Sequence, residues 1–299
     1  MKKKNLIYLL FISLAFNIYG EELPNKEVEN KKKNNFITLR RNSSILYPTE
    51  YDMYASLFRN SIFDNINNFN YNSFGYQRFF ENTKFSLEIN SFENKKSNMQ
   101  YDSLIFSNNG VPSSTKDNVG TYFRSENNLL VHYHFIENRV SSFFGVQDIR
   151  SNLSDSISNF RNYNFEQNFK GLAVGINFET PRFYGLFLNL GIKYSFLRGN
   201  LDYNLSQVNN ARQVNVSILK DNVLARYNMT EYKLALCYEL NDSLSFSLGT
   251  THQHVNITEN QSNLQGYTPE ATVLLRTLFN NYVSTESFKT VYASITGKF

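Results

Sequence analysis

The chain has 299 residues, a formal net charge of +4 at pH 7, one cysteine and no tryptophan. The single cysteine, Cys237, excludes an internal disulfide framework. Much of the basic excess comes from Lys2, Lys3 and Lys4 at the amino terminus, so the charge gives no indication of a nucleic-acid partner.

The first predicted element is a secretory signal peptide over residues 1–20. The opening "MKKKNLIYLLFISLAFNIYG" has a basic start and then an apolar run of about a dozen residues, which is too short for a transmembrane helix. No long apolar run follows in the rest of the chain. The sequence therefore predicts an exported protein without a helical membrane anchor.

The second predicted element is a periplasmic extension over residues 21–50. This segment carries mixed charge and few apolar side chains, so we expect it to be poorly ordered, with no core of its own. A barrel would then occupy residues 51–299. Its first strand would be Tyr51–Phe63, although the apolar residues of this segment also fit helical spacing. Ala271–Phe279 is a further candidate strand.

From residue 69 onwards, short segments alternate between large apolar side chains and small or polar ones. This alternation has the period of a β-strand with two unlike faces. The clearest segment is Tyr184–Phe196, "YGLFLNLGIKYSF", with aromatic residues at both ends of its apolar row. Similar alternation occurs in Phe85–Asn90, Leu129–Phe135, Val140–Val146, Leu172–Glu179, Tyr232–Leu240 and Leu244–Gly249.

The connections between these segments alternate in length. Short ones lie near residues 81–84, 137–139, 180–182 and 241–243, and long Asn- and Ser-rich ones near 93–118, 150–167, 198–222 and 261–286. Short turns on one side and long loops on the other are typical of outer-membrane barrels, and termini on the same side require an even strand number. The sequence predicts an all-β fold, a transmembrane antiparallel up-and-down β-barrel of about ten strands, with eight to twelve open.

The last residues, "TVYASITGKF", form an alternating strand that ends in Phe299. An aromatic residue at the end of such a strand resembles the carboxyl-terminal strand of bacterial outer-membrane β-barrel proteins. The Asn-, Lys-, Phe- and Tyr-rich composition resembles that of a spirochaete protein. The resemblance implies a place in the bacterial outer membrane, with its lipid bilayer as partner, and recognition of Phe299 by the barrel-assembly machinery. It identifies a class of protein and no specific family.

Strand parity assigns a set of polar side chains to the lumen of the barrel. These lumen-lining residues are Glu88, Glu179, Asn189, Lys193, Lys233, Glu239 and Lys298. Unpaired charges are costly in a dry interior, so the mixture of signs favours a lumen filled by paired polar side chains. The alternative is the charged wall of a small water-filled channel. A barrel of about ten strands has a lumen little wider than one that side chains can fill.

All four histidines occur in two His-x-His pairs, His132 with His134 and His252 with His254. Residues i and i+2 of a strand point the same way, so each pair is a weak candidate to chelate Zn or Cu. The two pairs fall at opposite ends of the barrel, separated by a hydrocarbon core about 25 Å tall. We therefore expect polar wall residues here, and no metal or cofactor.

Enzymes do occur on this architecture. Outer-membrane proteases of the omptin type use paired acidic residues with an Asp/His pair, and outer-membrane phospholipases use a His-x-Ser arrangement. Neither pattern occurs in this sequence, so we expect no catalytic residues. The expected function is that of a structural or surface-interaction barrel with a narrow, side-chain-filled lumen and long surface-exposed loops. The alternatives are a narrow porin-like channel for small solutes and, third, an outer-membrane hydrolase.

The turn at Thr180–Arg182 also predicts a register. If it contains about three residues, opposed residue numbers add to an even sum and both apolar rows share one face. This register places Phe178 opposite Tyr184 and puts the ring of Phe187 over Gly175.

Overall fold

The protein is a closed barrel of ten antiparallel strands, in which each strand pairs with its sequence neighbours and the first pairs with the last. The computed structural model describes residues 34–47, 67–106, 112–136, 139–158, 161–209, 214–259 and 285–299, with Pro269 and Val273. The strands are β1 (Asn35–Tyr47), β2 (Asn67–Phe79), β3 (Phe85–Phe106), β4 (Pro112–Ile136), β5 (Val140–Ser158), β6 (Arg161–Glu179), β7 (Leu186–Asn209), β8 (Val214–Asn241), β9 (Leu244–Glu259) and β10 (Thr285–Lys298). Among these residues, no helix is long and apolar enough to cross a membrane. The predicted fold class and strand number are confirmed.

The first strand begins earlier than predicted. β1 lies within residues 21–50, which were expected to form a poorly ordered extension, so that boundary is wrong. The apolar residues Ile37 and Leu39 alternate on one face of β1, but Arg40 and Arg41 interrupt the pattern. β1 is stabilised by hydrogen-bonded pairing on both edges, with β10 and with β2. Its local sequence does not predict that pairing.

Two candidate strands fall outside this description. Tyr51–Phe63 lies outside the described residues, and so does Ala271–Phe279 apart from Val273. The barrel closes with ten strands without either of them.

Most strands are longer than a membrane requires. β3 to β9 contain 16 to 28 residues each, whereas about 9–11 tilted residues cross a bilayer. Residues 93–118, 150–167 and 198–222, predicted as long loops, are largely paired strand, so that prediction is wrong for these three segments. The barrel therefore continues well beyond the bilayer on the side opposite the termini.

The outward face is apolar near the end of the barrel that carries the termini. We call this set of exposed apolar residues the lipid band. Its members, each 39–66 % exposed, are Leu39, Phe74, Ile89, Leu129, Phe144, Val146, Leu172, Val174, Ile176, Leu186, Leu188, Ile192, Phe196, Tyr232, Leu234, Leu236, Phe246, Leu248, Val291 and Ile295. Farther along the strands, outward positions are polar, as at Asp148, Arg150, Arg198 and Asn200. A continuous apolar belt of this size indicates contact with lipid hydrocarbon.

The inward face changes in the opposite sense. Beyond the lipid band it becomes an apolar core, which we call the plug. Its members, each at most 2 % exposed, are Phe69, Tyr122, Ile149, Leu153, Phe165, Phe169, Leu197, Leu201, Val223, Tyr227, Met229, Val255 and Phe288. Burying each large apolar side chain contributes about 1.5–3 kcal/mol. The outer half of the barrel is therefore built like a soluble protein, with a polar exterior and an apolar core.

The register between β6 and β7 differs from the predicted one. Phe178 lies opposite Leu190 and not Tyr184, a displacement of six residues along β7. An even displacement returns every side chain to the same face, whereas an odd one would exchange the faces. The predicted register is therefore wrong, while the outward face of β7 stays the one that the alternation indicated.

The turn itself explains the displacement. Tyr184 and Gly185 both have positive φ, 50° and 80°, and form a two-residue turn of the kind that joins hairpins. Two hydrogen bonds close it, from Phe183 N to Leu186 O at 2.8 Å and from Leu186 N to Phe183 O at 2.9 Å. Pro181 cannot donate to the ladder, and an extra residue is accommodated beside it. The turn is thus centred three residues later than expected.

The predicted ring over Gly175 comes from another strand. A Cβ atom at Gly175 would lie 2.2 Å from Cζ of Phe143, so the ring of Phe143 occupies the space that a side chain would need. Phe187 packs instead against a small cluster that contains Cys237 and Tyr292. An aromatic ring therefore does cover Gly175, but the ring belongs to Phe143 of β5 and not to Phe187 of β7.

The outward face of β7 should respond differently to charge within the lipid band and beyond it. Leu188→Arg places a cation in the lipid band and should lower the free energy of unfolding by about 2–4 kcal/mol. Asn204→Arg, on the same face of β7 beyond the band, should change it by less than about 0.5 kcal/mol, as surface changes do. Reversible urea unfolding from lipid vesicles measures both. Equal losses would show that the lipid band is placed wrongly.

Phe299 supports a second prediction. Its backbone N–H and C=O exchange hydrogen bonds of 3.0 Å with Asn35, and the residue is 58 % exposed. If assembly reads this terminal aromatic residue, Phe299→Ser should reduce the amount of assembled barrel in cells. Phe80→Ser, which removes another exposed ring in the connection between β2 and β3, should leave it unchanged. Equal abundance of the two variants in outer-membrane fractions would contradict the prediction.

Candidate functional site

A polar cavity of ≈ 350 Å³ occupies the lumen beneath the plug, largely at the level of the lipid band. Its wall reaches down to Arg182 in the β6–β7 turn, and so to the end of the barrel that carries the termini. Six of the predicted lumen residues lie in this wall: Glu88, Glu179, Asn189, Lys193, Lys233 and Lys298. Glu239 lies beside the cavity and contacts Arg182 and Lys298.

The charges near the mouth of the cavity are paired. Glu239 forms ion pairs with Lys298 and with Arg182, whose Nε lies 2.6 Å from Glu239 Oε2. Glu179 accepts a hydrogen bond of 2.9 Å from the Asn189 side chain, and Arg182 lies 4.0 Å away. Residues far apart in sequence thus connect β6, β8, β10 and a turn at the end of the barrel where β10 ends.

A second pair lies deeper in the lumen. Lys193 Nζ is 3.0 Å from Glu231 Oε2, and Gln253 donates to the same carboxylate at 2.7 Å. These groups come from β7, β8 and β9. Pairing across neighbouring strands offsets part of the cost of removing both charges from water.

Three cations of the cavity wall, Arg40, Arg139 and Lys233, lack such partners among the described residues. Within the described residues, Lys233 forms no ion pair closer than 4.0 Å. The guanidinium carbon of Arg40 lies 4.1 Å from the ring centroid of Tyr292, and its Nε is buried without a hydrogen bond in the described part of the chain. The cavity therefore presents unpaired positive charge among its otherwise paired groups.

The first histidine pair faces the lumen. His132 Nε2 lies 2.5 Å from Glu88 Oε2, and His134 Nε2 lies 2.8 Å from Ser86 Oγ, which also accepts from Gln77. The two imidazoles stack with centroids 6.0 Å apart. Sequence reasoning missed Ser86, because a serine two residues before Glu88 on a strand carries no motif.

The second histidine pair faces away from the lumen. His252 lies opposite Tyr232 of the lipid band, and His254 lies opposite Thr230. The two pairs therefore do not share a site. Among the described residues, no group of three or more His, Cys, Asp or Glu side chains is placed to hold a metal ion.

A buried ionic layer separates the cavity from the plug, and sequence reasoning missed it. Arg124 Nη2 lies 2.8 Å from Glu126 Oε1, and Arg124 Nη1 lies 3.7 Å from Glu286 Oε2. Tyr227 accepts from Arg124 at 3.0 Å and donates to Glu286 at 2.9 Å. The guanidinium carbon of Arg124 also lies 4.1 Å from the ring centroid of Phe288. Strands β4, β8 and β10 thus meet across the lumen.

Amide side chains extend this layer. Gln167 donates to Glu286 at 3.2 Å, and Gln147 donates to Glu126 at 3.4 Å. Ser195 in turn donates to Gln147 at 2.6 Å, so the layer reaches β5, β6 and β7. A signal for it was present in the sequence. The apolar residues change parity where the long strands leave the lipid band, from even to odd positions on β5 to β9 and from odd to even positions on β4. The polar residues change parity in the opposite sense.

The ionic layer predicts a large asymmetry between buried and exposed arginines. Arg124→Met leaves two buried carboxylates without a cation and should cost about 3–5 kcal/mol. Arg150→Met removes a half-exposed arginine paired with Asp148 and should cost less than about 1 kcal/mol. Urea unfolding followed by circular dichroism compares them.

A combined variant gives the control for the loss of the arginine volume. In R124M/E126Q/E286Q the unpaired charges are gone, so most of the lost stability should return. Failure to recover would mean that the arginine acts through packing alone.

Comparisons with known proteins address the family and not an activity. A search of the curated proteins finds no match. Among solved structures, the outer-membrane protease OmpT of Escherichia coli is 14 % identical over 92 % of this chain and 99 % of that chain, with a TM-score of 0.49. The toluene transporter TodX of Pseudomonas putida is 7 % identical over 89 % and 90 %, with a TM-score of 0.34. The transport unit of the E. coli autotransporter AIDA-I is 11 % identical over 100 % of both chains, with a TM-score of 0.37.

The names of these three proteins describe a protease, a toluene transporter and the transport unit of an autotransporter. None of the three similarities supports an argument about the activity of this chain. A family model, in contrast, matches residues 31–299, which include all ten strands. The match agrees with the closed barrel, its lipid band and the spirochaete-like composition. The chain belongs to the family described as "Predicted outer membrane protein, Leptospiraceae".

Proposed function

We propose that this protein is a non-conducting outer-membrane barrel whose outer half is a packed stem that presents strand hairpins at the cell surface. The observation that carries the proposal is the plug, which fills the lumen beyond the lipid band. The role is structural or one of surface interaction, and it does not depend on transport through the lumen.

The plug draws side chains from all around the barrel. Phe69 of β2, Tyr122 of β4, Phe165 of β6, Val255 of β9 and Phe288 of β10 are each at most 2 % exposed. An ion that entered this region would lose its water and meet mostly apolar side chains in its place, which is costly. The plug therefore supports a closed lumen.

The ionic layer supports the same conclusion. Arg124, Glu126 and Glu286 are held by one another and by Tyr227, and the exposed fraction of the Arg124 and Glu126 side chains is 2 %. A conducting pathway would have to break these buried pairs as well as displace the plug. Both obstacles lie in series along the lumen.

The length of the outer half supports a surface role. A closed barrel already satisfies its backbone hydrogen bonds at the edge of the bilayer, so spanning alone does not require strands of 22 to 28 residues. The additional length costs chain entropy that the plug offsets by burying apolar surface. A stem of this kind holds its hairpin tips away from the membrane.

The alternatives gain less support. A narrow channel would use the polar cavity, but the cavity ends beneath the ionic layer and the plug. A hydrolase would use the contact between Ser86 and His134, but Ser86 is 0 % exposed and its hydroxyl is engaged by Gln77 as well. We therefore expect neither solute conductance nor hydrolysis.

Conductance tests the proposal directly. Refolded wild-type protein in planar bilayers should give no reproducible conductance steps. The variant F165A/F169A removes two rings from the plug and should increase ion leakage, provided that the barrel folds. L172A/V174A, which removes apolar groups from the lipid face of the same strand, should remain silent.

Two results would contradict the proposal. Reproducible steps from the wild-type barrel would favour the channel. Equal leakage from the plug variant and the lipid-face variant would show that the plug is not the barrier. Circular dichroism and resistance to urea confirm that each variant is folded before it is measured.

A further inference from the structure

Three cations face outward in one row at the outer edge of the lipid band. Lys170 of β6 lies directly opposite Arg198 of β7, and Arg198 lies directly opposite Arg226 of β8. All three side chains are exposed. We call these residues the basic row. Directly opposed residues have Cβ atoms about 4.5–5.5 Å apart, and like charges in such positions destabilise a sheet.

The neighbouring side chains do little to neutralise the basic row. Among the described residues, none forms an ion pair or a side-chain hydrogen bond with Lys170, Arg198 or Arg226. Asp148 lies opposite Lys170 in register, but its carboxylate accepts from Arg150 at 3.2 Å. On the other side of Arg226, the residue opposite it on β9 is Thr258, which carries no charge. The barrel thus maintains a local excess of positive charge.

The basic row starts at the lipid band and rises away from it. Leu172 and Phe196, the outward residues next to Lys170 and Arg198 on the hydrocarbon side, belong to the lipid band. Their neighbour in register on β8 is Asn228, which is polar. Because the strands of such barrels tilt by about 35–45°, directly opposed residues on successive strands lie at different heights. From β6 to β8 the opposed residues lie progressively farther from the lipid band. The basic row therefore adjoins the lipid band on β6 and β7 and lies farther from it on β8.

An aromatic pair lies on the hydrocarbon side of the row. The rings of Tyr194 and Phe196 meet edge to face, with centroids 4.4 Å apart, on the outward side of β7. Arg198 is the next outward residue along that strand. Aromatic rings are enriched at the membrane–water interface, so this pair marks the level at which acyl chains give way to head groups.

We propose that the basic row binds phosphate groups on the head groups of lipids in the outer leaflet of the outer membrane. Arginine donates two parallel hydrogen bonds to phosphate, and anionic head groups attract Lys and Arg at the membrane surface. A phosphate between neighbouring cations also removes their mutual repulsion. The inference goes beyond the proposed surface role, and it holds whether or not the lumen conducts.

The binding experiment uses the full chain refolded in zwitterionic detergent, with diphosphoryl lipid A as the probe. Each cation near a charged membrane surface contributes about fivefold in affinity, so R198Q/R226Q should bind about 30-fold more weakly than wild type. R78Q/K84Q removes two exposed cations near the periplasmic end and should bind as wild type does. Native mass spectrometry counts bound lipid for each protein.

Stability gives a second measurement. If Arg198 had only a structural role, Arg198→Gln would lower the urea midpoint in detergent alone. In detergent alone, Arg198→Gln relieves repulsion and should leave the urea midpoint unchanged or raise it. With diphosphoryl lipid A added, wild type should gain more stability than Arg198→Gln. Loss of stability in detergent alone would show that Arg198 has a structural partner within the barrel.

Three outcomes overturn the proposal. One is equal lipid binding by R198Q/R226Q and wild type, and another is an equal loss in R78Q/K84Q. The third is full stabilisation of wild type by inorganic phosphate without lipid, which would make the row a site for a free anion. A loss confined to R198Q/R226Q and to the phosphorylated lipid supports it.

Discussion

A β-strand has only two faces, and in this barrel each face meets two different environments along its length. Near the termini the outward face contacts hydrocarbon and the inward face surrounds a polar cavity. Farther out the outward face contacts water and the inward face forms the plug. Since the pleat fixes which residues point which way, the chain must exchange the chemistry of its two faces at the outer edge of the lipid band. The cavity, the ionic layer and the basic row all follow from where that exchange occurs.

The ionic layer lies where the exchange takes place on the inward face. The polar cavity lies on one side of this layer and the apolar plug on the other. Arg124 and its two carboxylates form the boundary between them. On the outward face the same boundary is marked by the basic row, where hydrocarbon gives way to head groups and water. One transition in the sequence thus produces a buried layer of paired charge inside and an exposed row of unpaired charge outside.

Local periodicity was sufficient to predict the class of fold and the faces of the strands within the lipid band. The strand number also required the rule that termini on the same side imply an even count. Alternation at every second residue in Leu186–Phe196 depends only on the pleat and on contact with lipid. The register was not predictable in this way, because it depends on a turn whose positive-φ residues, Tyr184 and Gly185, lie just beyond the proline. β1 was missed because its pattern is short and arginines interrupt it. The plug was missed because the change of phase between Phe169 and Leu172 resembles the end of a strand.

The polar exterior of the outer half has a consequence for how the barrel reaches its final position. Charged outward residues such as Asp148, Arg150 and Lys170 lie beyond the lipid band, on the side opposite the start of β1 and the end of β10. Each has to cross the hydrocarbon before the strands below it come to rest, and at the bilayer midplane a charge such as that of Lys or Arg costs about 2–4 kcal/mol. Spontaneous partition into a preformed bilayer is therefore opposed by the very segments that later stabilise the stem. We therefore expect translocation of the outer hairpins, and not insertion of the lipid band, to be the rate-limiting step in assembly of this protein.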